Sequence, residues 1–198
     1  MILVIFGTTG ELIKLAPVLL LFEGRGHAYT LATTGQQVEQ IPSFLDQFGL
    51  RQPDLWLGRG ADGRYLRVNG DIPGWLLTVA RSYTRERTQL RRVLRAGRQR
   101  PLALVHGDTM TTVLGAAMGR TLRLPVAHVE GGLRSYDLRH PFPEELNRRL
   151  ASALAQIHYA PGSWAASNLG RGAVVDTGSN TIRDTMMDAP LNRAHCMP

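Results

Sequence analysis

Cysteine, lysine and long apolar runs are nearly missing from this 198-residue sequence. Cys196 is its one cysteine, which excludes an intrachain disulfide and a cysteine-based zinc centre. Lys14 is its one lysine, so the net charge of +7 comes almost entirely from arginine. No apolar run is long enough to span a bilayer, and the opening MILVIFGTTGE lacks the basic region and cleavage site of a signal peptide. We therefore expect a soluble, cytoplasmic protein with no membrane partner.

The arginines are densest between Arg81 and Arg100, in a segment that contains YTRERTQLRRVLRAGRQR. This pattern is typical of a helix with a solvated basic face. A nucleic-acid surface is the alternative, but aromatic residues do not recur among the arginines and no nucleic-acid motif is present, so we expect no nucleic-acid partner. The composition, 43% hydrophobic and 20% charged, predicts one packed globular domain, or one large domain with an appendage.

Short apolar runs alternate with helical patterns along most of the chain. We predict strands at 2–6, 29–33, 102–106, 126–129, 157–160 and 173–177, and helices that begin after Gly7 and after Thr109 and at 36–48, 74–96, 144–154 and 164–169. The segment 49–71 is irregular, with room for one short strand. Alternating strands and helices predict an α/β fold, a doubly wound Rossmann-like parallel sheet over residues 1–178. Residues 179–198 are predicted to be a linker or C-terminal tail.

Ligands of such a sheet bind outside the carboxyl ends of its strands, and two short segments bring polar groups there. In FGTTGE (6–11), a glycine turn leads into a helix N-terminus whose free N–H groups are able to hold a phosphate. In HGDTMTT (106–112), Asp108 follows a strand directly, as either a helix N-cap or a site carboxylate.

A third segment, HVEGGLRSYDLRHPFPEELNRR (128–149), places Glu130 at the end of a strand. Gly131 and Gly132 allow close approach of backbone or ligand. Arg134 forms either a site ion pair or an ordinary surface salt bridge. The histidines of this edge, His106 and His128, are expected to be hydrogen-bonded core residues rather than catalysts.

The helix that begins after Pro143 carries Glu144, Asn147 and Arg148 on one face, because their spacing is i, i+3, i+4. Its acidic start is either favourable charge at a helix N-terminus or part of a carboxylate cluster around one crevice. Crowded carboxylates repel, so we expect a raised pKa in at least one of them, which suits a general acid or base. Glu145 lies about 100° further round the helix and is expected to point away from the site and to tolerate substitution.

These segments together resemble the UDP-N-acetylglucosamine 2-epimerases. FGTTGELIKLAPV is similar to that family's opening turn and helix, and VHGDTMTTVLGAAM to its aspartate motif. LPVAHVEGGLRSYDLRHPFPEELNRRL is similar, nearly position by position, to the family's most recognisable stretch, and TTGQQVEQ and VVDTGSNTIRD follow in the family's order. The resemblance implies the N-terminal domain of a two-domain GT-B fold. It also implies inversion of C2 of a UDP-linked N-acetylhexosamine, by elimination and re-addition or hydrolysis of UDP, without a cofactor or a metal.

Carried over by motif, Asp108, Glu130 and Glu144 are the implied catalytic carboxylates. The implied substrate-binding residues are Gly7, Thr8, Thr9, Lys14, Gln36, Arg134, Asn147 and Arg148.

The sequence departs from the family in two respects. Thr9 and Gly10 stand where the family usually has arginine and proline. The family's chains are also roughly twice as long, so the second, nucleotide-binding domain is expected to be absent. We therefore expect a UDP-sugar substrate and either a homo-oligomer or a hetero-oligomer with a chain that supplies the C-terminal domain.

The alternatives are a non-catalytic regulatory or scaffolding homologue, or half of another sugar-nucleotide enzyme such as a glycosyltransferase.

Overall fold

Seven parallel strands form one sheet in the computed structural model, which describes residues 1–36, 40–58, 71–97 and 100–188. The strand order is β3-β2-β1-β4-β5-β6-β7. The strands are β1 (Ile2–Phe6), β2 (Tyr29–Thr33), β3 (Leu55–Trp56), β4 (Leu102–His106), β5 (Val126–Val129), β6 (Ile157–Ala160) and β7 (Ala173–Asp176). The predicted doubly wound, Rossmann-like parallel sheet is confirmed.

The helices are α1 (Thr9–Gly24), α2 (Ile41–Phe48), α3 (Ile72–Ala96), α4 (Met110–Thr121), α5 (Glu144–Leu154), α6 (Ser163–Ser167) and α7 (Ile182–Asp188). Helix α2 begins five residues later than predicted, and Pro42 lies in its first turn. A proline costs little there, because the first N–H groups of a helix have no partner within it. Residues 37–39 of the predicted helix lie outside the described residues.

Apolar side chains cover both faces of the sheet. On one face, Val4 and Phe6 of β1 pack with leucines of α1, and on the other, Ile5 and Val105 pack with α3 and α4. The fully buried leucines on the α1 side are Leu12, Leu15 and Leu19. Strands buried on both faces read as continuous apolar runs, which is why the sequence predicts them well.

The segment after Ser179, expected to be a linker or tail, contains the helix α7. Its Thr185 hydroxyl donates a hydrogen bond to the Ile13 carbonyl of α1 at 2.7 Å. The chain therefore returns from the last strand to the first helix. A helix of only two turns has too little periodicity to be recognised in sequence.

The strand order reverses at β1, which has β2 on one side and β4 on the other. Such a switch point opens a crevice outside the carboxyl ends of the two strands, where open α/β sheets bind ligands. Residues that follow β1, β4 and β5 therefore share one edge. Within the described residues, no helix is both long and apolar enough to cross a lipid bilayer.

Candidate active site

Glu130 follows β5 and is held in a left-handed backbone conformation, with φ of 65°. Its carboxylate receives both hydrogen bonds of a bidentate contact from Lys14 Nζ, at 2.9 and 2.7 Å, and a third from the Asn180 amide. The left-handed region costs a non-glycine residue about 1–2 kcal/mol. Such strain persists where surrounding contacts hold it, and it concentrates at functional sites. Lys14 and Asn180, two separate parts of the chain, thus fix this one carboxylate, whose side chain is only 9% exposed.

Asp108 follows β4 by two residues and is held from the side of α5. Arg148 donates from Nε and Nη2 to Asp108 Oδ2, at 2.9 and 2.6 Å. The Asn147 side chain donates to the Asp108 carbonyl at 2.9 Å. The predicted shared face of Asn147 and Arg148 therefore contacts the turn that carries Asp108, and the Asp108 side chain keeps 30% of its surface exposed.

Glu144 is the first residue of α5 and is half-buried. Its Oε2 atom is buried and has no hydrogen-bond partner among the described residues. A buried carboxylate oxygen without a donor is unfavourable, and such exceptions are often found where a group has a chemical role. The same helix supplies the Asn147 and Arg148 contacts to Asp108, so the open oxygen lies on the element that borders the site.

Glu145, in contrast, has a side chain with no exposed surface. It accepts hydrogen bonds from Ser135 N–H and from Arg149 Nε, both at 2.9 Å. Burial raises the pKa of the Glu145 carboxyl, but the hydrogen bonds from Ser135 and Arg149 outweigh that effect and hold the pKa below its usual value. Glu145 thus points to the loop before α5 and fastens that loop to the helix. These contacts indicate a role in stability, and the expectation that its substitution is mild for activity stays a prediction.

The N–H groups expected to hold a phosphate already bind a carboxylate. Gly7 N–H and Thr8 N–H donate to Glu11 Oε2 at 2.8 and 2.9 Å. A Cβ atom on Gly7 would lie 2.1 Å from the hydroxyl oxygen of Thr111, so glycine is required here for packing. The turn between β1 and α1 is therefore closed by the protein's own glutamate.

Glu11 is an almost completely buried carboxyl at this edge. Glu11 is 3% exposed, and burial raises its pKa, although hydrogen bonds from the Thr109 hydroxyl and from Gly7 and Thr8 act in the opposite direction.

His106 and His128 lie inside the sheet, each 1% exposed. Burial lowers the pKa of His106 well below its usual value, and the charges of Lys14 and His128 add to that effect. Burial likewise lowers the pKa of His128 to about 4, although its hydrogen bond to the Gly107 carbonyl opposes the shift. His128 is thus a hydrogen-bonded core histidine, as expected. His106 has no hydrogen-bond partner among the described residues, and its Nε2 lies 3.6 Å from Glu130 Oε2.

Residues 23–195 match the model of a family described as UDP-N-acetylglucosamine 2-epimerase. The chain belongs to this family. A UDP-N-acetylglucosamine 2-epimerase of Yersinia pestis is 35% identical over 207 residues, which cover 98% of this chain and 51% of that protein.

Solved structures of epimerases share the fold as well. The Neisseria meningitidis UDP-GlcNAc 2-epimerase bound to UDP-GlcNAc is 31% identical with a TM-score of 0.76, over 99% of this chain and 51% of that one. The S. aureus MnaA–UDP structure is 36% identical with a TM-score of 0.73, over 94% of this chain and 46% of that one. The chain therefore spans about half the length of the epimerases it matches.

Two further residues implied by resemblance to the epimerases, Gln36 and Arg134, contact different helices. Gln36 Oε1 accepts a hydrogen bond at 3.0 Å from Thr111, which places Gln36 beside the first turn of α4. Arg134 donates to the Leu133 carbonyl and to the Ser152 hydroxyl, at 2.8 and 3.3 Å, which directs it toward α5 rather than to Asp108 or Glu130. No group of three or more His, Cys, Asp or Glu among the described residues is arranged to hold a metal ion.

Three residues with contacts at this edge were not among the predicted site residues: Glu11, Glu145 and Asn180. Glu11 forms a capping box with the predicted residue Thr8, and the spacing T-x-x-E is visible in the sequence. Glu145 is read from sequence as an ordinary acidic residue of a first helical turn. Asn180 carries no local signal, because its contact with Glu130 joins positions 50 residues apart.

Proposed function

We propose that this chain is the N-terminal half of a UDP-N-acetylglucosamine 2-epimerase. The complete enzyme inverts C2 of a UDP-linked N-acetylhexosamine, by elimination and re-addition of UDP or with hydrolysis. The observation that carries the proposal is the placement of Asp108 and Glu130 on adjacent strand ends, with Glu144 on the helix that contacts the Asp108 turn, in a chain of this family.

The proposed chemistry requires carboxylates at such an edge. The C2–H bond is a weak acid, so a positioned base must remove its proton while the C1–O bond to UDP breaks and a C1–C2 double bond forms. Inversion requires the proton to return on the opposite face of the ring, so a second group must donate it. Asp108, Glu130 and Glu144 are the proposed groups. Cations hold the first two, and the third has an open oxygen.

The diphosphate of the nucleotide needs cations, and in the described part of the chain the two cations bound to the proposed carboxylates are already paired. The Lys14 ammonium is paired with Glu130, and the Arg148 guanidinium is paired with Asp108. The N–H groups of the first turn bind Glu11. These contacts support the proposal that a second domain or chain supplies most of the UDP pocket. We therefore expect little or no turnover by this chain alone.

Mixing experiments test the proposal. UDP-GlcNAc is incubated with this chain alone, and then with this chain plus a separately produced C-terminal half of a relative such as the Neisseria meningitidis epimerase. The expected result is UDP-ManNAc, or ManNAc and UDP, only in the mixture, together with co-elution of the two halves. Transfer of GlcNAc to an acceptor without a change at C2 would contradict the proposal in favour of a glycosyltransferase half. Binding of the two halves without chemistry would favour a scaffolding homologue.

A further inference from the structure

Glu11 connects two helix N-termini that are distant in sequence. It is the third residue of α1, and its Oε2 accepts from the N–H groups of the turn before that helix. Its Oε1 accepts from the hydroxyl of Thr109, the N-cap of α4, at 2.8 Å. The Thr112 hydroxyl oxygen lies 3.2 Å from the same Oε1 and donates to the His106 carbonyl at 2.6 Å. One carboxylate therefore lies between the ends of α1 and α4.

A capping role does not account for this arrangement. A capping box needs only Thr8 and Glu11, which complete theirs within α1. The bond from Thr109 and the contact with Thr112 span 98 and 101 residues of sequence. Helix N-termini attract anions through their free N–H groups and their dipoles. Here the N-terminal turns of α1 and α4 both contact the Glu11 side chain.

Thr109 directly follows Asp108 in the chain. The Asp108 turn is thus held from two sides, by Glu11 through Thr109 and by Asn147 and Arg148 of α5. We propose that Glu11 is a positioning residue, whose buried carboxyl fixes the Asp108 turn against the first turn of the chain. That this turn is catalytic rests on the proposed epimerase function, whereas the positioning of the turn by Glu11 does not.

The proposal distinguishes between substitutions of Glu11. Glutamine preserves the bridge, because its oxygen accepts from Gly7 and Thr8 while its amide donates to the threonine hydroxyls, which also accept. Alanine leaves the buried N–H of Gly7 and the partly buried N–H of Thr8 without the Glu11 acceptor and opens a space the size of a carboxylate. Formate is the smallest carboxylate and should fill that space. Rescue of Glu11→Ala by formate would be specific for the lost carboxyl, because an added carboxylate does not repair a loss of ordinary packing.

The test uses the Nε–H NMR signal of Arg148, which reports on its hydrogen bond to Asp108 Oδ2. In Glu11→Ala this signal should shift by more than its linewidth, and formate should return it toward the wild-type frequency. Chloride at equal ionic strength should not. Glu11→Gln should keep the wild-type frequency with or without formate. Leu19→Ala, a fully buried change on the same helix, is the matched control and should lower stability without a formate-dependent shift of the signal.

The proposal is overturned if Glu11→Ala leaves the Arg148 signal unchanged, or if formate acts on Leu19→Ala as it does on Glu11→Ala. It is also overturned if Glu11→Gln shifts the signal. If Glu11→Ala unfolds, formate should raise its folded fraction, measured by circular dichroism. The proposal is overturned if formate does not raise it. No UDP-sugar enters the measurement, so these outcomes are independent of the outcome of the mixing experiments.

Discussion

The two adjacent glutamates at the start of α5, Glu144 and Glu145, should differ in how much stability the same substitution costs. Glu145→Gln should lower the free energy of unfolding by about 2–3 kcal/mol, because hydrogen bonds to a charged group contribute about 1.5–3 kcal/mol each. Glutamine keeps an acceptor for Ser135 N–H, but its amide N–H₂ faces the Arg149 guanidinium, which is also a donor. The Arg149 side chain is 47% exposed, so water offsets part of its lost hydrogen bond. Glu144→Gln should change stability by less than about 0.5 kcal/mol, because its buried oxygen has no bond to lose among the described residues.

Urea unfolding of both variants and the wild type measures these differences, with equal slopes m expected because the exposed surface does not change. The pH dependence gives a second check. The pKa of Glu145 is lower in the folded state than its ordinary value of 4.5. Its ionised form therefore stabilises the fold above pH 4.5, and that stabilisation is lost as the pH falls below it. The difference in unfolding free energy between wild type and Glu145→Gln should therefore become smaller as the pH falls below 4.5.

Two results would refute this reasoning. Equal urea midpoints for wild type and Glu145→Gln would show that the carboxylate does not fasten the loop before α5. A loss of about 2 kcal/mol in Glu144→Gln would show that the open oxygen of Glu144 has a stabilising partner.

The remaining predictions concern packing, acid stability and nucleotide binding. Gly132→Ala should cost more than about 2 kcal/mol in urea unfolding, because the added Cβ would lie 2.1 Å from the Ala165 carbonyl oxygen at a φ of +89°. Gly170→Ala is its control and should be nearly neutral, because no atom of the described residues lies within 4 Å of the added Cβ. Burial lowers the pKa of folded His128 to about 4 from an ordinary 6.5, so His128 by itself should contribute a loss of up to about 3 kcal/mol in unfolding free energy as the pH falls from 6.5 to 4, and His128→Gln should lose less than wild type. UDP should bind this chain alone in the millimolar range, or roughly −4 kcal/mol, and micromolar affinity by calorimetry would contradict a half-site.

The fold was predictable from sequence because its signals are local. Buried parallel strands such as Ile2–Phe6 and Leu102–His106 are continuous apolar runs that end at glycine. The strand ends then place Asp108 and Glu130 at one edge by topology alone. The helix α7 was missed because seven residues carry too little periodicity, and its position depends on a contact with Ile13.

The partners of the polar groups were less predictable, because they depend on tertiary contacts. The 100° offset between Glu144 and Glu145 is fixed by helix geometry. Which of the two is buried depends on how the loop containing Ser135 folds over the helix. In the same way, the sequence shows that Gly7 opens a helix, but not that Glu11 supplies the anion for its N–H groups.

Exchange of the C2 proton of UDP-GlcNAc in D₂O is the most direct test of the central claim, because it detects proton removal even when UDP is not released. This chain combined with a C-terminal half should incorporate deuterium at C2. Asp108→Asn, Glu130→Gln and Glu144→Gln should each slow the exchange by about 10²–10⁴ while their urea midpoints show folded chains. If all three variants exchange the proton as fast as wild type, these carboxylates are structural, and the proposed site is contradicted.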